Sequence, residues 1–401
     1  MEKQSSFCIA IFVLVLAVMT APAQVQSFRA LHQFNGKTPG DGAVPHGTLL
    51  LNAAGDTLFG TTLDGGNGDG TVFKIDSTGK ETVLLAFDSA VTGDSPDSPL
   101  IQDAAGNLYG VTPEGGPNGA AGVIYRISPQ GELTILHAFQ GDANSPAVPT
   151  GGLIMDKLGN LYGTTFDGGN SPNCLFGCGT IYRLDPAGNL QVLYEFTGLA
   201  DGDEPFGPLV PDAKGNLYGV SKGGGVLCPD QEFDGEGCGA VFELTRSGTL
   251  KVLHTFQGGK DGAIPQGGLV FNDAGDLFGV VSRGGRTENG KVFKISKDGS
   301  YSILHQFARK EGTSPNGGLV LDEAGNLYGT NFFNGTHNLG TVFKVRPDGQ
   351  LTVLHAFHGN TDGAVPAAGL IRDAHGHLFG TTSTNLLNQA VRGGNVFEIT
   401  P

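Results

Sequence analysis

Asp103-Ala104-Ala105-Gly106-Asn107-Leu108-Tyr109-Gly110 decides the architecture, because close copies of this stretch occur seven times. Its core triplet, Leu then an aromatic then Gly, returns at Gly60, Gly110, Gly163, Gly219, Gly279, Gly329 and Gly380, in steps of 50, 53, 56, 60, 50 and 51 residues. Self-similarity at such a period marks a repeat architecture, in which each copy is one supersecondary unit stacked on the next.

The unit from Pro265 to Phe307 shows what is repeated. Gly267 to Phe271 is a short apolar run closed by the turn Asn272-Asp273-Ala274-Gly275. Asp276 to Val281 follows and ends at the Gly284-Gly285 doublet, and a loop leads into Lys291 to Ile295. A second turn, Ser296-Lys297-Asp298-Gly299, brings in Tyr301 to Phe307. These are four runs of strand length joined by two tight glycine turns and one longer loop, with no window of helical period. In Leu133 to Phe139, strict alternation puts Leu133, Ile135, His137 and Phe139 on one face and Leu136 and Ala138 on the other.

Four strands in some fifty residues, repeated, describe a propeller blade; parallel β-helices repeat at about half this length or less. A Pro opens each first strand, at Pro45, Pro96, Pro149, Pro205, Pro265, Pro315 and Pro366. A Phe ends each fourth strand, at Phe34, Phe87, Phe139, Phe196, Phe256, Phe307 and Phe357. One fourth strand, Phe28 to Phe34, precedes the first complete set, and none follows the last third strand, Asn395 to Ile399. Ring closure requires that offset, because the N-terminal strand can complete the last blade and leave no raw edge. The sequence therefore predicts an all-β, seven-bladed β-propeller with four antiparallel strands per blade.

Composition and charge narrow the setting. The 67 glycines fall at fixed turn positions, Trp is absent, and the formal charge of −15 disfavours nucleic acid or an anionic membrane surface as partner. Residues 1–23 read as a signal peptide, with Lys3, an apolar run from Phe7 to Val18, and the small-x-small site Ala21-Pro22-Ala23. The mature chain, 24–401, is expected to be one propeller domain, a monomer, secreted or periplasmic, without a membrane span. Cys174 and Cys178, then Cys228 and Cys238, lie pairwise in two loops, and local disulfides are the simplest reading in an oxidising space.

The string Gly-Asn-Leu-Tyr-Gly-Thr-Thr (Gly159 to Thr165), a Gly-Gly doublet, Gly-Thr-Val-Phe-Lys-Val (Gly340 to Val345) and Leu-His-x-Phe (Leu354 to Phe357) together resemble the GloVer-type tandem repeat over 27–401. That resemblance implies an exported bacterial repeat protein and no established activity or substrate. Members of the family with a surface-sorting tail carry an extra apolar segment and basic end, whereas this chain stops at Pro401, so free secretion or a periplasmic home is expected.

The candidate sites are weakly marked. His32, His137, His254, His305 and His355 share one position with Leu85 and Tyr194, as packing residues with a polar tip would. The Asp-Gly-x-x-Pro loops supply Asp41, Asp201, Asp261 and Asp362, with Glu311, Thr92 and Ser145 in the other copies. All can cap a backbone N–H in an Asx- or ST-turn, and the sharper alternative is a ring of carboxylates holding a cation at the channel mouth. Between Cys228 and Cys238, Asp230, Glu232, Asp234 and Glu236 resemble the start of a calcium loop, although the twelfth-position Glu is replaced by Val241. No cofactor is expected apart from calcium as a candidate. His46, His337, His358, His375 and His377 are scattered in turns and loops, and no nucleophilic set or cluster of non-repeating charges stands out. Arg283, Arg286 and Glu288 come nearest to such a cluster and read as solvated.

Two functions follow. The first is a binding or scaffold module for an extracellular glycan or surface protein, engaged by loops on one face, notably Asn170 to Gly177 and Gly225 to Gly237. The second is an extracellular lyase or hydrolase with its site at the channel mouth. Convergence of blade-specific residues on one pocket favours the enzyme.

Overall fold

The computed structural model describes residues 27–36, 40–141, 145–228, 237–284, 289–359, 361–384 and 393–400. Residues 1–23, expected to be a signal peptide, the acidic quartet Asp230, Glu232, Asp234 and Glu236, and the pair Arg286 and Glu288 lie outside them. Seven antiparallel sheets stand in a ring, each built on a four-strand path. The closing strand Ser27–Phe34 pairs with Gly394–Thr400, from Ser27 opposite Thr400 to Phe34 opposite Gly394, as the offset in the sequence predicts.

Each hydrophobic cluster spans two neighbouring blades, so the core is a necklace of seven interfaces. Phe34 and Val396 of the last blade, for instance, pack with Leu49, Leu58, Phe73 and Ile75 of the first. At every interface the Phe that ends one blade meets the third-strand aromatic of the next in a T-shaped pair, at centroid distances of 4.9–5.5 Å. Burying each such Phe contributes roughly 2–3 kcal/mol. The glycine of the Leu-aromatic-Gly triplet follows from that pair: a Cβ on Gly60 would stand 2.5 Å from Cζ of Phe73, and one on Gly279 equally close to Phe293. The aromatic lies flat across the second strand, and only hydrogen leaves room for it.

The repeated Pro marks a second seam. The residue before it (Val44, Ser95, Val148, Glu204, Ile264, Ser314 or Val365) has φ between 50° and 59° in all seven blades. Its N–H donates to a carbonyl of the preceding blade, as in Val148 to Ala121 O (3.0 Å) and Ile264 to Cys238 O (3.0 Å). Left-handed backbone costs about 1–2 kcal/mol for a residue with a Cβ, and more for a β-branched one, so this bond and the Pro packed behind it must hold it in place.

Two local departures from the sequence reading matter for the site. The first strand is not continuous: in the first blade its ladder lapses between Gly42–Pro45 and Leu50–Leu51, and in the fourth and fifth it shifts register between Phe206 and Val210 and between Gln266 and Val270. Every fourth strand also carries a bulge, at Leu136 in the second blade. That bulge resets the alternation, so Phe139 packs with Leu136 toward the third blade, while Leu133, Ile135 and Ala138 face the first. Strict alternation across Leu133 to Phe139 does not hold.

Candidate functional site

Where the first strands leave their ladders, they enclose a cavity of about 290 Å³ on the ring axis, walled by all seven blades. The wall is largely backbone. Gly207, Gly267 and Gly317 come so close to the next blade that a Cβ on any of them would strike main-chain atoms there. Hydrogen bonds stitch neighbouring blades together at this level: Ser98 Oγ donates to Thr150 O at 2.7 Å, and the Gly369 N–H donates to Thr48 Oγ1 at 3.1 Å across the closure.

The residue following the blade-opening Pro differs in every copy: His46, Asp97, Thr150, Phe206, Gln266, Asn316 and Ala367. All of these except Gln266 line the cavity. Blade-specific residues thus converge on one pocket, on a background of repeated glycines and leucines. His46, scattered in a loop by the sequence reading, stands in the wall of this cavity. Burial lowers its pKa, leaving a neutral imidazole at pH 7 that can donate from one nitrogen and accept at the other. Burial raises the Asp97 carboxyl to about 6, against a bond from Ser98 Oγ (3.1 Å) that pulls it down. Both side chains are half-buried by surface area, because they open onto the channel while protein surrounds them on other sides. The missed signal was positional: the residue after a repeated Pro is the one that never repeats.

The other sequence candidates lie elsewhere, and none of Asp41, Asp201, Asp261 and Asp362 lines the axial cavity. Each caps its own loop. Asp201 accepts from Thr197 N at 2.9 Å, Asp261 from Gln257 N at 2.9 Å, and Asp362 from His358 N at 3.1 Å; Asp41 accepts from Asn35 N at 3.0 Å. Three of the four also hold the polar tip of the fourth strand, through Tyr194 Oη (3.0 Å), His254 Nε2 (3.2 Å) and His355 Nε2 (3.0 Å). The repeated His and the repeated Asp, separate in the sequence, are one device. The Asp of the first turn is another: Asp103 accepts from Ala105 N, Asn107 N, Asn107 Nδ2 and Tyr109 Oη, all within 3.0 Å, which explains the Asp-x-x-Gly-Asn-Leu-Tyr string.

Cys174–Cys178 and Cys228–Cys238 form disulfides. They staple the loops that follow the second strands of the third and fourth blades. The segment Thr197 to Gly202 bridges them, Thr197 O accepting from Asn173 Nδ2 (2.7 Å) and Leu199 O from Gly225 N (2.6 Å). Leu175 (89% exposed), Phe176, Leu199, Val226 and Leu227 (70% exposed) stand out from these three linked loops. No helix among the described residues is long and apolar enough to cross a membrane.

Axial cavity, seven similar blades and a closing strand define a seven-bladed β-propeller of tandem-repeat type. The chain belongs to the Gloeobacter/Verrucomicrobia repeat family, which matches residues 17–176, 121–228 and 230–401. No curated protein matches it by sequence. Among solved structures it is similar to the extracellular domain of a protein described as a hybrid two-component system of B. thetaiotaomicron, at 12% identity and TM-score 0.58, covering 94% of this chain and 42% of that one. It is similar also to puromycin hydrolase, at 14% identity and TM-score 0.53, covering 86% of this chain and 50% of that one. A third similarity is to a protein described as a 6-phosphogluconolactonase from Bacteroides uniformis, at 15% identity and TM-score 0.50, covering 77% and 83%. At these identities the likeness is one of fold.

Proposed function

We propose that the protein is an exported binding module that receives a sugar-sized polar group of an extracellular glycan in its axial cavity. The convergence of blade-specific side chains on that cavity carries the reading; convergence was also the mark expected of an enzyme, but the lining residues include one carboxylate, Asp97, where glycoside hydrolysis takes a pair. A carboxylate, an imidazole, hydroxyls, an amide and the Phe206 ring around about 290 Å³ supply several hydrogen-bonding groups and one apolar surface, the usual make-up of a small-ligand site. Keeping Asp97 where burial opposes its ionisation costs stability, and groups held at such a cost are enriched at functional sites.

A panel of mono- and oligosaccharides, read by thermal shift on the mature protein, tests this. A saccharide should raise the Tm of the wild type, and Asp97→Asn or Phe206→Ala should weaken its binding by about tenfold or more. Silence across the panel, or binding indifferent to both variants, overturns the reading. Cleavage of a bound saccharide in the same tubes would turn it into a hydrolase or lyase working at this cavity.

A second reading has its own observation, the apolar patch on the stapled loops. Under it the partner is a cell-surface protein. The double variant Leu175→Ser, Leu227→Ser then abolishes binding to intact cells and leaves any saccharide shift unchanged.

A further inference from the structure

The position that opens each fourth strand is apolar in six copies: Phe28, Leu133, Leu190, Leu250, Tyr301 and Leu351. Where it is aromatic it stacks on the histidine of the preceding blade, Phe28 on His355 at 4.1 Å and Tyr301 on His254 at 3.7 Å. In the first blade the same position is Glu81, and the histidine it faces is His32 of the closing strand.

This substitution changes the surroundings of the histidine. In three other blades the imidazole bonds its own loop carboxylate directly, at 3.2 Å in His254–Asp261, 3.2 Å in His305–Glu311 and 3.0 Å in His355–Asp362. His32 Nε2 instead has no hydrogen-bond partner among the described residues, although the atom is buried, and neither has Glu81 Oε1. One oxygen of Asp41 accepts from Asn35 N, and the Asp41 carboxyl also lies within hydrogen-bonding reach of Glu81. One donor atom from each of His32, Asp41 and Glu81 lies within 4.8 Å of the other two, and His32 Nε2 stands 3.6 Å from Glu81 Oε2. Ligands about 2.1 Å from a tetrahedral zinc are about 3.4 Å apart, so a small closing movement completes the set. The side chains of His32 and Glu81 are 20% and 13% exposed, which leaves access for an ion and a water ligand.

We infer that His32, Asp41 and Glu81 form a zinc site that ties the closing strand to the first blade. One imidazole nitrogen and two carboxylates suit zinc; calcium prefers an all-oxygen cage. Among the described residues the site occurs once, at the interface where the closing strand meets the first blade.

The test uses the full mature protein after chelator treatment. Calorimetry with Zn2+ should show one site, and zinc should raise the Tm. Glu81→Leu introduces the residue that four other blades carry, so it should fold with a metal-free Tm at or above that of the wild type while binding zinc at least tenfold more weakly. Should Glu81→Leu fail to fold, Glu81→Gln gives the same comparison with the shape retained. Stoichiometric zinc binding that both variants leave intact would place the metal elsewhere, for instance at His337 and His358, and overturn the assignment. So would a wild type that takes no zinc, or one that takes only calcium.

Discussion

Single residues show where one copy has drifted from the others and what that costs. The third-strand aromatic is Phe in five blades and Tyr in two, and the hydroxyls of Tyr125 and Tyr182 are fully buried without a partner among the described residues. An unsatisfied buried hydroxyl costs about 1–3 kcal/mol. Tyr125→Phe and Tyr182→Phe should therefore each stabilise the protein by about 1 kcal/mol, seen as a higher midpoint in denaturant with an unchanged m-value. A fall in midpoint would show that the hydroxyls have partners. Asp97 makes a pH-dependent case. Its folded pKa, about 6, lies above the ordinary 3.8, so the native state binds the proton more tightly than the unfolded chain does. Stability is then lost as pH rises through that window, and the full penalty remains above it. Channel solvent reduces the effect to on the order of 1–2 kcal/mol. Asp97→Asn should exceed the wild type by that amount at pH 7 and match it near pH 3.5, in parallel urea titrations. Equal curves at both pH values would show that the carboxyl is not destabilised.

At the scale of elements, turns and strand counts were legible and register was not. The Asp-x-x-Gly turns, the blade-opening Pro and the terminal Phe are written into each unit, and each has a local cause: a side chain capping a turn, a ring locking φ, a Phe filling an interface. The bulge at Leu136 has no such mark, since an extra residue in a run of Leu, Thr, Ile and His looks like any other strand. The lapse after each Pro was equally hidden. It arises from blade backbones crowding at the axis, and nothing inside one unit records its neighbours. The same blindness split the His–Asp pairs, whose partners sit six or seven residues apart on either side of a loop. Glu81 was visible in principle, as a charge in a column of Phe, Leu and Tyr.

At the scale of the whole molecule, closure governs stability. Without Ser27–Phe34, the strand Gly394–Thr400 would present an open edge and Phe73 would lose the aromatic partner it has in Phe34. A chain beginning at Asn35 should melt lower by on the order of 10 °C, or aggregate, and a peptide spanning 27–34 should recover part of the loss. An unchanged Tm would mean that the ring holds without its clasp. The left-handed residue before each Pro adds a further consequence. Its geometry is dictated by a carbonyl on the neighbouring unit, so no unit can rehearse its own entry in isolation. In an isolated fragment the leading blade, which has no preceding neighbour, would relax there into ordinary extended chain. Only the closed ring gives every copy that carbonyl, the first blade drawing it from Gly393 at the far end of the chain.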